Sequence, residues 1–156
     1  MLSRPALESD VEAIAVVHAA AIRQACAEVY EPNQIHAWLS GKTREGYLRA
    51  VVERPVFVAV HDEGVIGFSE LEPKTAEICA VYVHPDFLRR RVGSELLRAV
   101  ESSAAEHGLS RLHLHATINA IPFYRAHGFE LDAMTSFSLG AQASLACARM
   151  HKTLGP

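Results

Sequence analysis

The stretch VYVHPDFLRRRVGS, which runs from Val81 to Ser94, decides how this chain folds. It begins as an apolar strand that Pro85 ends, because proline cannot donate a hydrogen bond to a strand ladder. Three consecutive arginines follow, and apolar residues at helical spacing predict a helix from Val92 onward. The free N–H groups and the dipole of a helix N-terminus attract anions, and arginine adds donors that suit phosphate oxygens. The stretch therefore predicts a pyrophosphate-binding loop, although a solvated basic loop would carry the same charges.

The rest of the chain alternates predicted strands and helices, with no repeat or linker that would divide it. We therefore expect one α+β domain over residues 1–156, with helices on both faces of a mixed sheet. The segment from Ala76 to Ala116 reads as strand, loop, helix and strand, which predicts a right-handed parallel crossover. Strands are predicted over 2–6, 56–60, 65–71, 76–83, 111–116, 130–139 and 145–153, and helices after Ser9 or Asp10 and over 34–39, 43–53, 92–107 and 119–127. Tight turns are expected at Asp62-Glu63-Gly64 and around Gly140.

Composition excludes several classes of protein. Fifteen Lys and Arg against eighteen Asp and Glu give a net charge of -3, which argues against a nucleic-acid partner. No apolar run approaches the roughly 18 residues that a membrane-spanning helix needs, and residues 1–10 do not resemble a signal peptide. The cysteines Cys26, Cys79 and Cys147 have no paired spacing and lie in apolar segments, so we expect three buried, reduced thiols. We expect a soluble, cytoplasmic protein with no membrane partner.

A second motif follows the next predicted strand. It reads NAIPFYRAHGF, from Asn119 to Phe129. Together with the first motif, on Val81–Leu97, it resembles the GNAT superfamily of acyl-CoA-dependent N-acetyltransferases. That family has a strand ending in a Val-x-Pro-like turn, then Q/R-x-x-G-x-G/A and a helix, and later an Asn followed by Phe-Tyr-x-x-x-Gly-Phe. The order and spacing match over nearly the whole chain. The resemblance implies the GNAT acyl-CoA N-acyltransferase fold, with a mostly antiparallel sheet of about seven strands.

The first motif departs from the family pattern at two positions. Leu88 stands at the Q/R position and Arg91 at the first glycine, whereas Gly93 is retained. A lost glycine would cause strain if the position needed a positive φ. We expect Arg91 to be helical, with its N–H directed at the ligand, and the neighbouring arginines Arg89 and Arg90 to supply the charge that Leu88 lacks.

The resemblance implies where acetyl-CoA binds. In the family it lies in a V-shaped gap, here between the strand that ends at Val83 and the strand 111–116. The pantetheine arm would pair with the backbone of Val81 and Val83, one of whose N–H groups can stabilise an oxyanion. The pyrophosphate would lie on the segment from Arg89 to Ser94. The implied cofactor-binding residues are Val81, Tyr82, Val83, Arg89, Arg90, Arg91, Val92, Gly93, Ser94, Asn119, Phe123 and Tyr124.

The implied reaction is direct attack of a primary amine, on a small molecule or a peptide, on the thioester. Tyr124 matches the family tyrosine that often protonates the leaving thiolate, although it could instead only pack beneath the cofactor. Glu70 and Glu77 are the candidate bases, and Glu70 is preferred because it interrupts an apolar strand. Bulk water could also accept the proton, which would leave no base to find.

Tyr30 and Trp38 lie in the region that covers the substrate side in the family, so they could shape an acceptor pocket or pack in the core. His113 and His115 share one strand face, but with no third ligand nearby we expect no metal site. A second class of function is a non-catalytic acyl-CoA-binding or sensing module with the same fold, which the changes at Leu88 and Arg91 favour. The final hairpin and an edge strand could support a homodimer.

Overall fold

The computed structural model describes residues 2–62, 64–140 and 143–155. Within these residues five α-helices and seven strands are formed. The helices are α1 (Val11–Gln24), α2 (Pro32–Ser40), α3 (Arg44–Glu53), α4 (Val92–Glu106) and α5 (Ile121–Ala126). The strands are β1 (Leu2–Pro5), β2 (Val56–His61), β3 (Gly64–Glu72), β4 (Glu77–Val83), β5 (Arg111–Thr117), β6 (Glu130–Ser138) and β7 (Ser144–Thr153).

The strands form one sheet in the order β1-β2-β3-β4-β5-β7-β6. All neighbours are antiparallel except β4 and β5, which are parallel and connected through α4. The α+β fold and its mostly antiparallel sheet are therefore confirmed. No helix among the described residues is long and apolar enough to cross a membrane.

The two faces of the sheet are covered by different helices, each through the apolar side that its sequence predicts. On one face α1 packs Ile14 and Val17 against residues of β2 and β3. On the other face α4 packs Leu97 and Val100 into the largest cluster of buried side chains, which also holds residues of β3, β4, β5 and β7. Burying one such aliphatic side chain contributes roughly 1.5–3 kcal/mol to the free energy of unfolding. The apolar sides of the two helices therefore stabilise the sheet from both faces.

Glycines end two of the elements as the sequence predicts. Gly108 follows α4 with φ +76° and Gly128 follows α5 with φ +91°, which is the left-handed conformation of a helix C-terminal cap. The expectation that Asn119 caps α5 is wrong, because Ala120 precedes the helix and Asn119 lies in a single 3-10 turn. Asn119 is thereby free to face a cleft beside the sheet.

The three cysteines differ in their exposure to solvent. Cys79 is exposed, whereas Cys26 and Cys147 are buried, and all three are free thiols. Cys79 lies between the buried residues Ile78 and Ala80, and side-chain alternation along the strand directs it away from them. The expectation of three buried thiols is therefore wrong for Cys79. The predicted turns include Glu63 and residues 141–142, which lie outside the described residues.

Candidate active site

The parallel strands β4 and β5 separate along their length and leave a gap in the sheet. They pair at Glu77 and His113, near the start of β4, and the His113 N–H donates to the Ala76 carbonyl at 3.0 Å. The described residues contain no further pair between the two strands. The gap therefore opens toward the carboxyl ends of both strands, which is where ligands bind in open parallel sheets.

The backbone of β4 turns unpaired polar groups into this gap. The His84 N–H donates to the Ile66 carbonyl of the neighbouring β3 side at 2.8 Å. Hydrogen-bonded and non-hydrogen-bonded residues alternate in an antiparallel ladder, so Tyr82, opposite Phe68, also bonds toward β3. The peptide groups of Val81 and Val83 consequently point the other way, into the gap, where an extended ligand could pair with them.

The gap continues into a cleft of about 500 Å³. Its walls come from the end of β4, the loop of Arg89, Arg90 and Arg91 (the arginine loop), the first turn of α4 and the segment after β5. Residues of α1 close one side. Eleven of the twelve implied cofactor-binding residues line it, and Arg90 does not. The eleven are Val81, Tyr82, Val83, Arg89, Arg91, Val92, Gly93, Ser94, Asn119, Phe123 and Tyr124.

The three side chains of the arginine loop lie in two different places. Arg89 and Arg91 line the cleft. The guanidinium of Arg90 instead lies 5.4 Å from the ring centroid of Phe87, in a cation–π contact. Two guanidinium groups therefore remain at the cleft for an anion.

Arg91 has a left-handed backbone, with φ +65°, and Arg89 has φ +62°. The expectation that Arg91 is helical is wrong: α4 begins at Val92, and Arg91 is the residue before it. The loop keeps the backbone shape that a glycine would adopt freely, although a side chain in this conformation costs roughly 1–2 kcal/mol. The retained shape indicates that the loop is built for backbone geometry as well as for charge.

Gly93 allows α4 and α5 to meet at the cleft. A Cβ at this position would lie 3.1 Å from Cε1 of the Phe123 ring, closer than side chains normally pack. The hydroxyl of the next residue, Ser94, lies 2.8 Å from Nε2 of His127 at the end of α5. The absence of a side chain thus lets the α4 N-terminus pack against α5, and Val92, Gly93 and Ser94 of its first turn line the cleft.

Tyr124 lies in the wall of the cleft and is 7% exposed. Its ring packs against Phe123 and Phe129, with centroid distances of 5.1 and 5.6 Å. Burial raises the pKa of its phenol above the usual value, so the hydroxyl keeps its proton at neutral pH. A protonated phenol at this place can donate to a ligand in the cleft.

A second cavity, of about 580 Å³, adjoins the cleft. Tyr82 and Thr117 line both spaces, so the two meet where β4 and β5 separate. Glu70 and Glu77 both line this second cavity. The two cavities therefore offer adjoining places for two ligands, with carboxylates in only one of them.

The two carboxylates lie at different distances from the gap. Glu70 is opposite Ala80, one residue before Val81, and its carboxylate pairs with Arg54 at 2.5 Å. Glu77 lies four residues before Val81, which is about 13 Å along a strand, and is 3.5 Å from Nδ1 of His115. Glu70 is therefore nearer to the peptide groups that face the gap, whereas Glu77 lies at its closed end.

Tyr30 and Trp38 line the second cavity and also belong to a buried cluster. The Tyr30 hydroxyl donates to the Ala146 carbonyl at 2.6 Å and accepts the Ile118 N–H at 3.0 Å. These two hydrogen bonds fix the segment after α1 against β7 and the end of β5. The two side chains therefore pack in the core and also form one wall of the cavity.

Sequence reasoning missed two residues of this cavity, His18 and Tyr47. Nδ1 of His18 lies 2.7 Å from the Tyr47 hydroxyl, and burial lowers the pKa of His18 to about 3. Burial also raises the pKa of Tyr47 to about 12, so both groups are neutral. The only signal in the sequence was a histidine on the apolar face of α1.

Among the residues that the structure describes, no group of three His, Cys, Asp or Glu side chains is arranged to hold a metal ion. His115 faces the second cavity beside Glu77. His113 carries the single pairing contact to β4. His115 therefore lies at a cavity, whereas His113 pairs with the neighbouring strand.

Comparisons with known proteins show what the sequence and the fold of this chain resemble. Residues 53–131 match the family described as the acetyltransferase (GNAT) domain. The chain is 28% identical over 122 residues to YafP, an uncharacterized N-acetyltransferase of Escherichia coli K12, a match that covers 78% of this chain and 75% of YafP. A GCN5-related N-acetyltransferase structure from Rhodopseudomonas palustris has a TM-score of 0.91 and 28% identity, covering 98% of this chain and 95% of its own. The N-acetyltransferase PaiA of Thermoplasma acidophilum, solved with coenzyme A, shares the fold with a TM-score of 0.83 and 21% identity, covering 97% and 98%.

Proposed function

Because this chain belongs to the GNAT family of acetyltransferases, we propose that it transfers the acetyl group of acetyl-CoA to a primary amine of a small molecule or peptide. The protein is an acyltransferase, and acetyl-CoA is its co-substrate. One observation carries the proposal: the separation of β4 from β5 gives a cleft with free peptide groups that adjoins a second cavity.

The cleft residues suit the parts of acetyl-CoA. The peptide groups of Val81 and Val83 would pair with the pantetheine arm, as a neighbouring strand would. The diphosphate would be held by Arg89, Arg91 and the N–H groups of the first turn of α4, where charge and helix dipole both favour an anion. A peptide N–H at the gap would also stabilise the negative charge that develops on the thioester oxygen.

Tyr124 is the general acid of this proposal. Its phenol carries the proton at neutral pH, and the residue lies in the wall of the cleft that would hold the thioester. Donation to the departing thiolate completes the exchange of a C–S bond for a C–N bond. General acid catalysis of this kind typically contributes a factor of about 10²–10⁴.

The acceptor amine would enter from the second cavity, and Glu70 is the proposed base. An opening between Tyr82 and Thr117, which line both cavities, would give the amine a line of approach to the thioester. Glu70 lies closer to this opening than Glu77, but its ion pair with Arg54 means that it would act while still paired, or through a water molecule. Direct attack requires both ligands to be bound at once, which the adjoining cavities allow.

The walls of the second cavity bear on the acceptor. Aromatic side chains, including Tyr30, Trp38 and Tyr47, suit an apolar body, and the carboxylates suit a cationic amine. Amino acids, polyamines, aminoglycoside-like antibiotics and peptide N-termini all carry such an amine. A cytoplasmic location and a homodimer are part of the same proposal and rest on the sequence.

The test is release of free thiol from acetyl-CoA in the presence of a broad panel of amines, with calorimetry of acetyl-CoA binding alongside. We expect binding, and thiol release that depends on at least one amine. Binding without acetylation of any amine would favour the alternative, a non-catalytic acyl-CoA-binding module. Failure to bind acetyl-CoA would contradict both functions.

A further inference from the structure

A histidine outside the arginine loop contacts the serine of the proposed diphosphate site. Nε2 of His127 lies 2.8 Å from the Ser94 hydroxyl, and Nδ1 of the same ring lies 2.8 Å from the Phe123 carbonyl. The ring also packs on the Phe123 side chain, with a centroid distance of 4.5 Å. Both nitrogens of this half-buried imidazole are therefore engaged. The role inferred for His127 rests on the proposed function, which puts the diphosphate of acetyl-CoA at Ser94.

The two contacts fix which nitrogen carries the hydrogen. A carbonyl oxygen can only accept, so Nδ1 of His127 must be the donor to Phe123. In the neutral ring Nε2 then has a lone pair, and it must accept the hydrogen of the Ser94 hydroxyl. The serine hydrogen therefore points at His127, away from any anion in the cleft.

This arrangement is unfavourable for a phosphate. Ser94 has one hydroxyl hydrogen, and while His127 accepts it the serine presents only lone pairs to the cleft. Phosphate oxygens are acceptors too, so the neutral pair would repel the group that the helix N-terminus attracts. Protonation of the ring reverses the bond, because Nε2–H then donates to Ser94 and frees the hydroxyl hydrogen.

We propose that His127 is a positioning residue of the diphosphate site, and that its protonation turns the Ser94 hydroxyl toward the bound ligand. Ligand binding and proton uptake are then coupled, and by linkage each favours the other. In the free protein the Ser94 hydroxyl donates its hydrogen bond to Nε2 of His127. In the complex the same hydroxyl donates to an oxygen of the diphosphate. One proton enters His127 when this exchange takes place.

The elements that meet at the ring carry other charged side chains. Glu95, Arg98 and Glu101 lie on α4, Arg125 lies on α5, and Lys152 lies on β7, where its Cε would be 3.4 Å from a Cβ built on Gly128. Glu95 pairs with Arg98, and Glu101 pairs with Lys152. The two carboxylates on α4 therefore each have a cationic partner already.

The experiment measures binding of 3′-dephospho-CoA by calorimetry in buffers of different ionisation enthalpy. This ligand keeps the diphosphate but lacks the 3′-phosphate monoester, whose own titration near pH 6 would hide the effect. We expect the binding enthalpy at pH 7 to depend on the buffer with the sign of proton uptake. We also expect affinity roughly tenfold higher at pH 6 than at pH 8, within the usual range of coupling between sites.

Three variants test whether His127 acts through its hydrogen bond to Ser94 (the relay) or only by attracting the ligand with its positive charge. His127→Gln should abolish proton uptake. Ser94→Ala should reduce it and flatten the pH profile, although the ring can still be protonated. His107→Gln is the matched control, because Nδ1 of His107 makes the same bond to a carbonyl four residues earlier, that of Ser103, and lies at the other end of α4. It should behave as the unaltered protein does.

Nitrogen-resolved NMR of the His127 ring gives a second readout that folding defects would not mimic. We expect hydrogen on Nδ1 alone in the free protein at pH 7.5, and on both nitrogens in the complex. Full proton uptake by Ser94→Ala, or a ring that stays neutral in the complex, would overturn the relay while leaving the cofactor site intact. Failure of both CoA and 3′-dephospho-CoA to bind would instead overturn the proposed function, and the relay with it.

Discussion

Replacing Arg91 by glycine should stabilise the protein while weakening its binding of acetyl-CoA. The residue has φ +65°, a conformation that costs a side-chain-bearing residue roughly 1–2 kcal/mol and glycine almost nothing. Glycine also lowers the free energy of unfolding by about 0.4–1 kcal/mol, because it gives the unfolded chain greater conformational freedom. The middle values of the two ranges leave a net gain of about 0.8 kcal/mol. For a chain of this length that corresponds to a rise in Tm of roughly 1–4 °C.

The assay is thermal unfolding without ligand, compared with Arg90→Gly as the matched control. Both variants remove one positive charge from the same loop, but Arg90 has no positive φ, and its guanidinium packs on Phe87. We expect Arg90→Gly to lower Tm and Arg91→Gly to raise it. Arg91→Gly should also weaken acetyl-CoA binding about tenfold, because a guanidinium is lost from the cleft. If both variants shifted Tm equally, the left-handed backbone at Arg91 would not be the source of strain.

Three further predictions concern the reaction and the stability of the fold. Tyr124→Phe should lower kcat about 100-fold with little change in acetyl-CoA affinity or Tm, and unchanged turnover would remove Tyr124 as the acid. Glu70→Gln should lower kcat/KM for the amine more than Glu77→Gln does, most strongly at low pH. The reverse order in steady-state kinetics would assign the role of general base to Glu77. The pKa of Asp10 is lowered by its hydrogen bonds from Arg4, so this carboxylate stabilises the fold above its unfolded pKa, and that contribution is lost as pH falls. Asp10→Asn should therefore cost roughly 1–3 kcal/mol at pH 7 and much less near pH 2, as urea unfolding at the two pH values would show.

Periodic patterns in the sequence predict most of the fold because they record local geometry. The apolar positions of α4 recur at helical spacing, and the structure buries Val92, Leu96, Leu97 and Val100 among them. The strand that ends before Pro85 and the left-handed glycine at Gly108 follow equally from local rules. The segments proposed to bind acetyl-CoA could be placed beside one cleft because both motifs lie at the ends of such predictable elements.

What the sequence could not reveal depends on contacts between distant segments. Ser94 and His127 are 33 residues apart, and they meet only because Gly93 lets α4 approach Phe123. His18 follows the apolar period of α1 as a core residue would, and only the packed structure shows that it lines a cavity. The backbone of Arg91 escapes prediction for a related reason: a helix pattern indicates where the helix begins, but not the backbone angle of the residue before it.

The proposed reaction moves an acetyl group from acetyl-CoA to an amine, and its product can be weighed directly. The measurement is mass spectrometry of the amines after incubation with acetyl-CoA that carries an isotope-labelled acetyl group. We expect at least one primary amine to gain the labelled acetyl group in an amount equal to the thiol released, and Tyr124→Phe to form this product far more slowly. Label that stays on acetyl-CoA, or appears only as free acetate, across the whole amine panel would contradict the proposed transfer.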